Sequence, residues 1–455
     1  MQLLYSLLLT LAFIALLPYF VHQAFVNRKY FNNFRQRMGL LPDSLNANSR
    51  PTIWLHAVSV GETLAAGSLV KALRVRFPQH RLIISTTTAT GQTVARARMA
   101  EADGFCFFPF DWRFCVRRAL DTIQPQILIL MESELWPNFL SECRQRDIPV
   151  LVANGRISDR SFVRSQKFGF FVRRLFRLVT RFAMQSQVDA ERAIRLGAPP
   201  NRVSVSGNIK YDIGVTSESR GFAEVARSLA EVFALSSAPL VVAGSTSDGE
   251  EEIVLSAFKQ IREEMGLEKT RLLIAPRHPE RFGDVVRMLD SSRLKYVRRS
   301  TIEQERVAEA QAADCIFLDT VGELAALYRF ASVVFIGGSL VPKGGHNILE
   351  PALYAKPIIV GPYMENFREI TNDLLGRDAL IQLRGESEEE LISKLKTTLI
   401  ELLTDQGRAQ RLGENARRTI EDNSGATART LALVVELIER NEEIKRQKAK
   451  GKRQK

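Results

Sequence analysis

Short apolar runs rich in β-branched residues alternate with helical stretches along most of the chain, and they come in two series. The first comprises "TIWLHAV" (52–58), "RLIISTT" (81–87), "GFCFFPF" (104–110), "ILILMES" (127–133) and "IPVLVANG" (148–155). Runs this apolar read as buried strands, and intervening stretches such as "ETLAAGSLVKALRVRF" read as helices. The second series is "PLVVAGST" (239–246), "RLLIAPR" (271–277), "KYVRR" (295–299), "CIFLDT" (315–320), "SVVFIGGSL" (332–340) and "KPIIVGP" (356–362). Such alternation predicts parallel sheets with helices on both faces. The expected fold is α/β: two doubly wound, Rossmann-like domains facing a cleft at the carboxyl ends of their strands, where open sheets of this kind bind ligands. A chain of 455 residues is long enough for two such cores and too long for one.

Charge and hydropathy set the expected boundaries. Residues 3–20, "LLYSLLLTLAFIALLPYF", carry no charge. Eighteen residues of helix span roughly 27 Å, marginally enough for a bilayer core. No charged segment precedes the run and no clear cleavage site follows it, which argues against a removed signal peptide. Arg28, Lys29, Arg35 and Arg37 follow, so the positive-inside rule puts the bulk of the chain in the cytoplasm. The alternative is an interfacial helix, since Pro18 can break the segment. The expected organisation is an anchor over 1–27, a first domain over 28–212, a linker over 213–238, a second domain over 239–440 and a basic tail over 441–455. The tail, rich in lysine, reads as a disordered or membrane-surface extension.

The formal charge of +12 calls for an acidic partner: an anionic membrane, nucleic acid or phosphorylated molecules. Much of it sits in "RSFVRSQKFGFFVRRLFRLVTRF" (160–182), where seven basic residues interleave with aromatic and aliphatic ones. A basic amphipathic element suits an anionic membrane surface or a phosphorylated lipid. No nucleic-acid fold signature accompanies it. The four cysteines show no CxxC pairing, which reads as inert, buried thiols in a reducing compartment.

Candidate chemistry falls at strand ends. In the second series "VAGST" (242–246) ends a strand in small residues that let backbone amides approach an anion. In "APRHPER" (275–281) Arg277 ends a strand, where a guanidinium can grip a phosphate through two hydrogen bonds, or simply pair at the surface. More specific is "GGSLVPKGGHNILEPALYAKPIIVGP" (337–362), a glycine-rich loop running into a helix expected to begin near Asn347, with Glu350 on its first turn. Orphan amides at such a start favour a phosphate, and Glu350 is placed to accept from ribose hydroxyls.

In the first series "MESELWPN" (131–138) puts Glu132 and Glu134 at the end of a very apolar strand, and "GNIKYD" (207–212) offers Lys210 as a counter-charge. "WLHAVSVGET" (54–63) runs a strand into Gly61 and Glu62 at a helix start. Taken alone, Glu62 is either a first-turn acid favoured by the helix dipole or a base held at a cleft.

The motifs "HAVSVGE", "MESELWPN", "GNIKYD", "PRHPER" and "GGHNILEPA" occur in this order behind the N-terminal apolar run. Together they resemble the 3-deoxy-D-manno-oct-2-ulosonic acid (Kdo) transferase family of lipid A biosynthesis, over nearly the whole chain between the anchor and the basic tail. The resemblance implies a two-domain, B-type glycosyltransferase with an inverting mechanism that needs neither metal nor cofactor. It implies CMP-Kdo as donor and the lipid A precursor lipid IVA as acceptor, at the cytoplasmic side of the inner membrane. By match to the family motifs, Glu62 would be the proton acceptor, and Glu132 and Lys210 would stabilise the transition state. CMP would be held by Pro276, Arg277, Gly322, Glu323, Leu324, Asn347, Ile348, Leu349 and Glu350. Two alternatives share the architecture: a membrane-associated transferase using a UDP- or GDP-sugar, and a non-catalytic, membrane-tethered nucleotide-binding protein.

Overall fold

The computed structural model describes residues 5–7, 9–11, 13–15, 31–46, 50–132, 134–213, 220–302, 307–385 and 387–453. The chain divides into two compact units, one made of Met1–Ile213 with Ser424–Lys455 and the other of Gly214–Asn423.

The first unit holds β1 (Thr52–Ala57), β2 (Arg81–Thr86), β3 (Gly104–Phe107), β4 (Pro125–Met131), β5 (Val150–Gly155), β6 (Arg181–Met184) and β7 (Val203–Val205). They form one sheet in the order β3-β2-β1-β4-β5-β6-β7, paired in parallel throughout. Successive side chains of a strand point to opposite faces, and both faces are covered here. Ile53 and Leu55 pack with Leu69, Val70 and Leu73 of the helix Val60–Arg76. Trp54 between them packs on the other face with Val116 and Leu120 of Arg113–Ile123 and Phe139 of Pro137–Gln145. This two-sided burial is why the strands are continuous apolar runs rather than alternating ones.

The second unit repeats the design with β8 (Leu240–Thr246), β9 (Arg271–Pro276), β10 (Tyr296–Arg298), β11 (Cys315–Phe317), β12 (Val333–Ile336), β13 (Ile358–Val360) and β14 (Ile381–Gln382). Their order is β10-β11-β9-β8-β12-β13-β14, again all parallel. The two parallel-sheet α/β units expected from the alternation are therefore both present.

Four details differ from expectation. The linker assigned to 213–238 contains a helix, Arg220–Val232, which belongs to the second unit and buries Ala226 and Leu229. Its "FAEVARSLAEV" has apolar residues at helical spacing, a signal masked by the polar residues around it. Part of that linker, 214–219, lies outside the described residues.

The second domain, expected to run to 440, ends at Asn423, and residues 424 onward return to the first unit. The helix Ala426–Arg453 buries Val434, Leu437 and Ile438 against the first sheet. The tail over 441–455 is helical as far as Arg453, a continuation of that helix rather than a loose extension. Asn441 and Gln126 share one hydrogen bond and Gln126 reaches Glu442 with another. Finally, the basic element over 160–182 is not one helix. It resolves into Asp159–Lys167, Gly169–Phe176 and the start of β6, because the backbone leaves the helical conformation at Phe168 and Val179 and Phe182 go to the core.

Most of the expected anchor (1–4, 8, 12 and 16–27) lies outside the described residues. Residues 5–7, 9–11 and 13–15 are helical. Among the described residues no helix is long and apolar enough to cross a membrane.

Candidate functional site

In a parallel sheet the carboxyl ends of all strands share one edge, and the first unit's candidate acids gather there. Glu62 follows β1 on the first turn of Val60–Arg76. Glu132 follows β4, the immediate neighbour of β1, and donates its amide to Ala153 O of β5 at 2.9 Å. Its φ of +58° lies in the left-handed region, a conformation a glutamate adopts only where its surroundings enforce it.

Glu62 is 8 % exposed. Its Oε2 accepts the Val58 amide at 2.9 Å and its Oε1 accepts the Ser59 hydroxyl at 3.1 Å. Burial pushes its carboxyl up to about 7, and the nearby charges of Glu132 and Glu134 act in the same direction. The hydrogen bonds from Val58 and Ser59 oppose the rise without cancelling it. Glu134 is raised chiefly by burial, with Glu132 adding to it. Three carboxylates thus feel one another's charge, and the buried Glu62 among them is pushed up to about 7, the neutral range a general base requires.

Lys210 lies in the turn Ile209–Ile213, which packs against the helix carrying Glu62. The turn is pinned at Ile209, whose amide donates to Asn154 Oδ1 at 2.9 Å from the end of β5. Asp212 accepts the amides of Gly425 at 2.7 Å and Thr427 at 2.5 Å, so the same turn caps the long final helix. His56 of the "HAVSVGE" stretch is a core residue. It is fully buried, stacked on Phe108 at 3.8 Å and held at Nδ1 by Ser85, and burial pushes it down to about 3.

In the second unit Pro276 ends β9, and Arg277 follows it exposed, its amide bonded to Thr246 O at 2.9 Å. The Arg277 charge is felt by Glu350 and by His346. Asn347 Oδ1 accepts the Leu349 amide and Asn347 Nδ2 donates to Glu350 Oε1, both at 3.0 Å, so Asn347 orients Glu350. The helix spans Leu349–Leu353, starting two residues later than expected. Ile348 and Leu349 are fully buried, which leaves their backbone as what they can offer a ligand. Gly322 has φ +96°, and the next residue, Glu323, is gripped by Arg299 at 2.9 and 3.1 Å and by the Thr320 hydroxyl. Leu324 opens the short helix Leu324–Leu327.

At the start of the glycine-rich loop the backbone amides already have an acceptor within the chain. Glu250, fully buried, accepts the amides of Gly338 (2.6 Å), Ser339 (2.9 Å), Leu340 (2.8 Å) and Ser247 (2.8 Å). The anion that these amides favour is a carboxylate of the chain itself. Its neighbour Glu251 bonds Thr246 at 2.9 Å and Arg281 at 2.7 Å. Neither stands out in the sequence, because "DGEEE" is what any helix start looks like.

His346 was also missed, although it stands inside the quoted "GGHNILEPA". Its Nε2 is buried with no hydrogen-bond partner among the described residues, beside Gly338, where a Cβ would come within 2.9 Å of it. Burial pushes the imidazole down to about 4, with Arg277 and His278 adding to the effect, so it is neutral at pH 7. The pairing of Ser59 with Glu62 was legible as the spacing S-x-x-E, the signature of a capping box.

A family profile described as 3-deoxy-D-manno-octulosonic-acid transferase (kdotransferase) matches residues 32–213. A 3-deoxy-D-manno-octulosonic acid transferase of Haemophilus influenzae is 32% identical over 87% of this chain and 90% of its own length. One of Bordetella pertussis is 30% identical over 83% of this chain and 86% of its own. Among solved structures, a putative UDP-N-acetylglucosamine 2-epimerase from Listeria monocytogenes superposes with a TM-score of 0.50 over 85% of this chain and 96% of its own, at 12% identity, a likeness of fold alone.

Proposed function

This chain belongs to the 3-deoxy-D-manno-octulosonic acid transferase family, and from that premise we propose that it is an inverting glycosyltransferase moving Kdo from CMP-Kdo to the lipid A precursor lipid IVA. The observation that carries the reading is Glu62, a buried carboxylate titrating at about 7 in the field of Glu132 and Glu134. Below that value it keeps its proton; above it, it can take one from the acceptor hydroxyl as the hydroxyl attacks the anomeric carbon of Kdo.

Transfer of a sugar that already bears a carboxylate develops positive charge at the anomeric carbon and negative charge on the departing phosphate. Glu132 answers the first charge, and Lys210, on the turn packed against the Glu62 helix, balances the carboxylates around it. Arg277 and the amides near Asn347 answer the second. Glu350, oriented by Asn347, accepts from ribose hydroxyls, and Pro276, Gly322, Glu323, Leu324, Ile348 and Leu349 complete the CMP site largely through backbone.

The same reading keeps the protein at the cytoplasmic side of the inner membrane, attached through its N-terminal segment. Supporting it, Ser6 and Thr10 bond Asn138 and Trp112 at 3.0 Å, while Leu7, Leu11 and Ile14, at helical spacing, stay exposed. The test is transfer from CMP-Kdo to lipid IVA with mass analysis of the product, for wild type and Glu62→Gln. Product from the wild type and at least a hundredfold slower transfer from the variant is the expected result; undiminished turnover in Glu62→Gln would reduce Glu62 to a helix-start acid.

A further inference from the structure

Beside Glu132 the first unit contains a pocket of about 200 Å³ that the roles above leave unused. Nine of its twelve lining residues are apolar, among them Val172, Phe176 and Leu196; the others are Glu132, Ser161 and Ser165. Several of the apolar ones also belong to the core over the β5–β6 side of the sheet. Protein cores close around voids larger than a water molecule, so an apolar pocket of this size, with a part-exposed carboxylate in its wall, is shaped for a ligand.

The helix Asp159–Lys167 says what kind. Ser161 and Ser165, one turn apart, line the apolar pocket. Arg160, Arg164 and Lys167, also one turn apart, line a second groove on a neighbouring face with Val163 and with Asp159, whose carboxylate Arg192 already pairs, so the groove keeps a net positive charge. Immediately after it, Phe168 and Phe170 stand 64 % and 80 % exposed. One short helix therefore separates an apolar pocket from a cationic groove, with aromatic side chains at its end. This arrangement complements a molecule that is itself split, with an apolar chain beside an anionic head.

We infer that the pocket lined by Glu132, Ser165, Val172 and Phe176 receives an acyl chain of an anionic, acylated acceptor, while Arg160, Arg164 and Lys167 hold its phosphate. The inference rests on the proposed reading of the site, since it places that acceptor's chain next to Glu132. It makes the chain itself a specificity element: seating it brings the sugar hydroxyl to the reacting edge, so acylation is read in kcat/KM rather than only in membrane partitioning.

The test fills the pocket. Val172→Phe, and Ser165→Phe as a second variant should the first fail to fold, are assayed with CMP-Kdo against two acceptors: tetraacylated lipid IVA in detergent micelles and its fully deacylated, bisphosphorylated disaccharide. The expected result is a wild-type preference for the acylated acceptor of about tenfold or more. The filled variants should lose roughly that preference while keeping turnover of the deacylated acceptor. Equal use of both acceptors by the wild type, or an equal loss on both in the variants, overturns the inference. Binding of cis-parinaric acid, followed by its fluorescence, separates this from the proposed function. Binding weakened about fivefold or more by Val172→Phe supports the pocket even if no Kdo is transferred, an outcome that would sink the function alone. Indifference of that binding to both variants, or no binding by the wild type, overturns the pocket even if transfer is robust.

Discussion

Ser59 and Glu62 cap each other. The Glu62 amide donates to Ser59 Oγ at 3.3 Å, and the Ser59 hydroxyl donates to Glu62 Oε1 at 3.1 Å. The carboxylate is thus fixed by the very device that starts its helix, and the first-turn acid and the proposed base are one group in one geometry. Ser59→Ala should cost about 1 kcal/mol of stability through the lost cap. It also removes a hydrogen bond to the ionised form, so the Glu62 titration should move above its present value of about 7. Each unit of that rise leaves roughly tenfold less base below the inflection. A pH–rate profile of the variant that coincides with wild type would separate the cap from the chemistry.

The field of Glu132 and Glu134 makes a pH prediction with a definite sign. The folded-state value of Glu62, about 7, lies above its ordinary value of 4.5, so the folded form holds this proton more tightly than the unfolded chain does. The stability it contributes is fully present below the ordinary value and is lost as pH rises through about 7. Activity runs the other way, because only the ionised base accepts a proton: kcat/KM should climb with pH and level off above the same inflection. Glu132→Gln removes a like charge and should move the inflection down while lowering kcat. Denaturant melts at about pH 5 and about pH 8 check the stability limb; Glu62→Gln, unable to ionise, should flatten its contribution.

Asp212 closes the chain's return to the first unit, since its two oxygens take the amides of Gly425 and Thr427 at the start of the final helix. Asp212→Ala should cost about 1–2 kcal/mol, the upper part of the range for a lost cap, because the partners are remote in sequence and the helix end is partly buried. The same turn carries Lys210, so transfer should fall with stability. Hydrogen exchange over 424–440 tests the structural half: protection there should drop before protection in the sheets.

How much of this could be read in advance follows from burial. Strands buried on two faces must be apolar runs, and most of the strands were legible for that reason. β6 was not, because it opens on Arg181 directly behind a basic helix; nor was β7, none of whose three residues is buried, or β14, which is two residues long. Glu132 and Arg277 could be placed at the carboxyl edge because each is a charged residue directly after an apolar strand, and Glu62 because it lies on the first turn of the helix that follows one. The return of residues 424–453 to the first unit was not, since an amphipathic helix does not say which sheet it covers. Least visible was Glu250, whose partners at Gly338, Ser339 and Leu340 lie 88 to 90 residues further along.

Glu250 makes the strongest stability prediction. Its carboxylate is fully buried, and burial raises its titration, but four backbone amides stabilise the charged form and oppose that rise. Glu250→Ala leaves those amides without an acceptor in a site sealed from solvent, and each buried group left unsatisfied costs about 1–3 kcal/mol. Even with water entering the void, a loss of at least about 3 kcal/mol is expected. Glu250→Gln is the finer test. It keeps the shape but turns one acceptor oxygen into an NH₂ group that confronts amide donors, so it should destabilise by about 2 kcal/mol or more. The damage should concentrate in the second unit, because the loop released there, Gly337–Leu340, runs beside His346 and Gly345. Donor binding should therefore weaken along with stability, whereas Glu62 keeps its own titration in the first unit. Chemical denaturation together with CMP binding by calorimetry checks both halves. A Glu250→Gln protein as stable as wild type would mean that the loop holds its shape without the carboxylate.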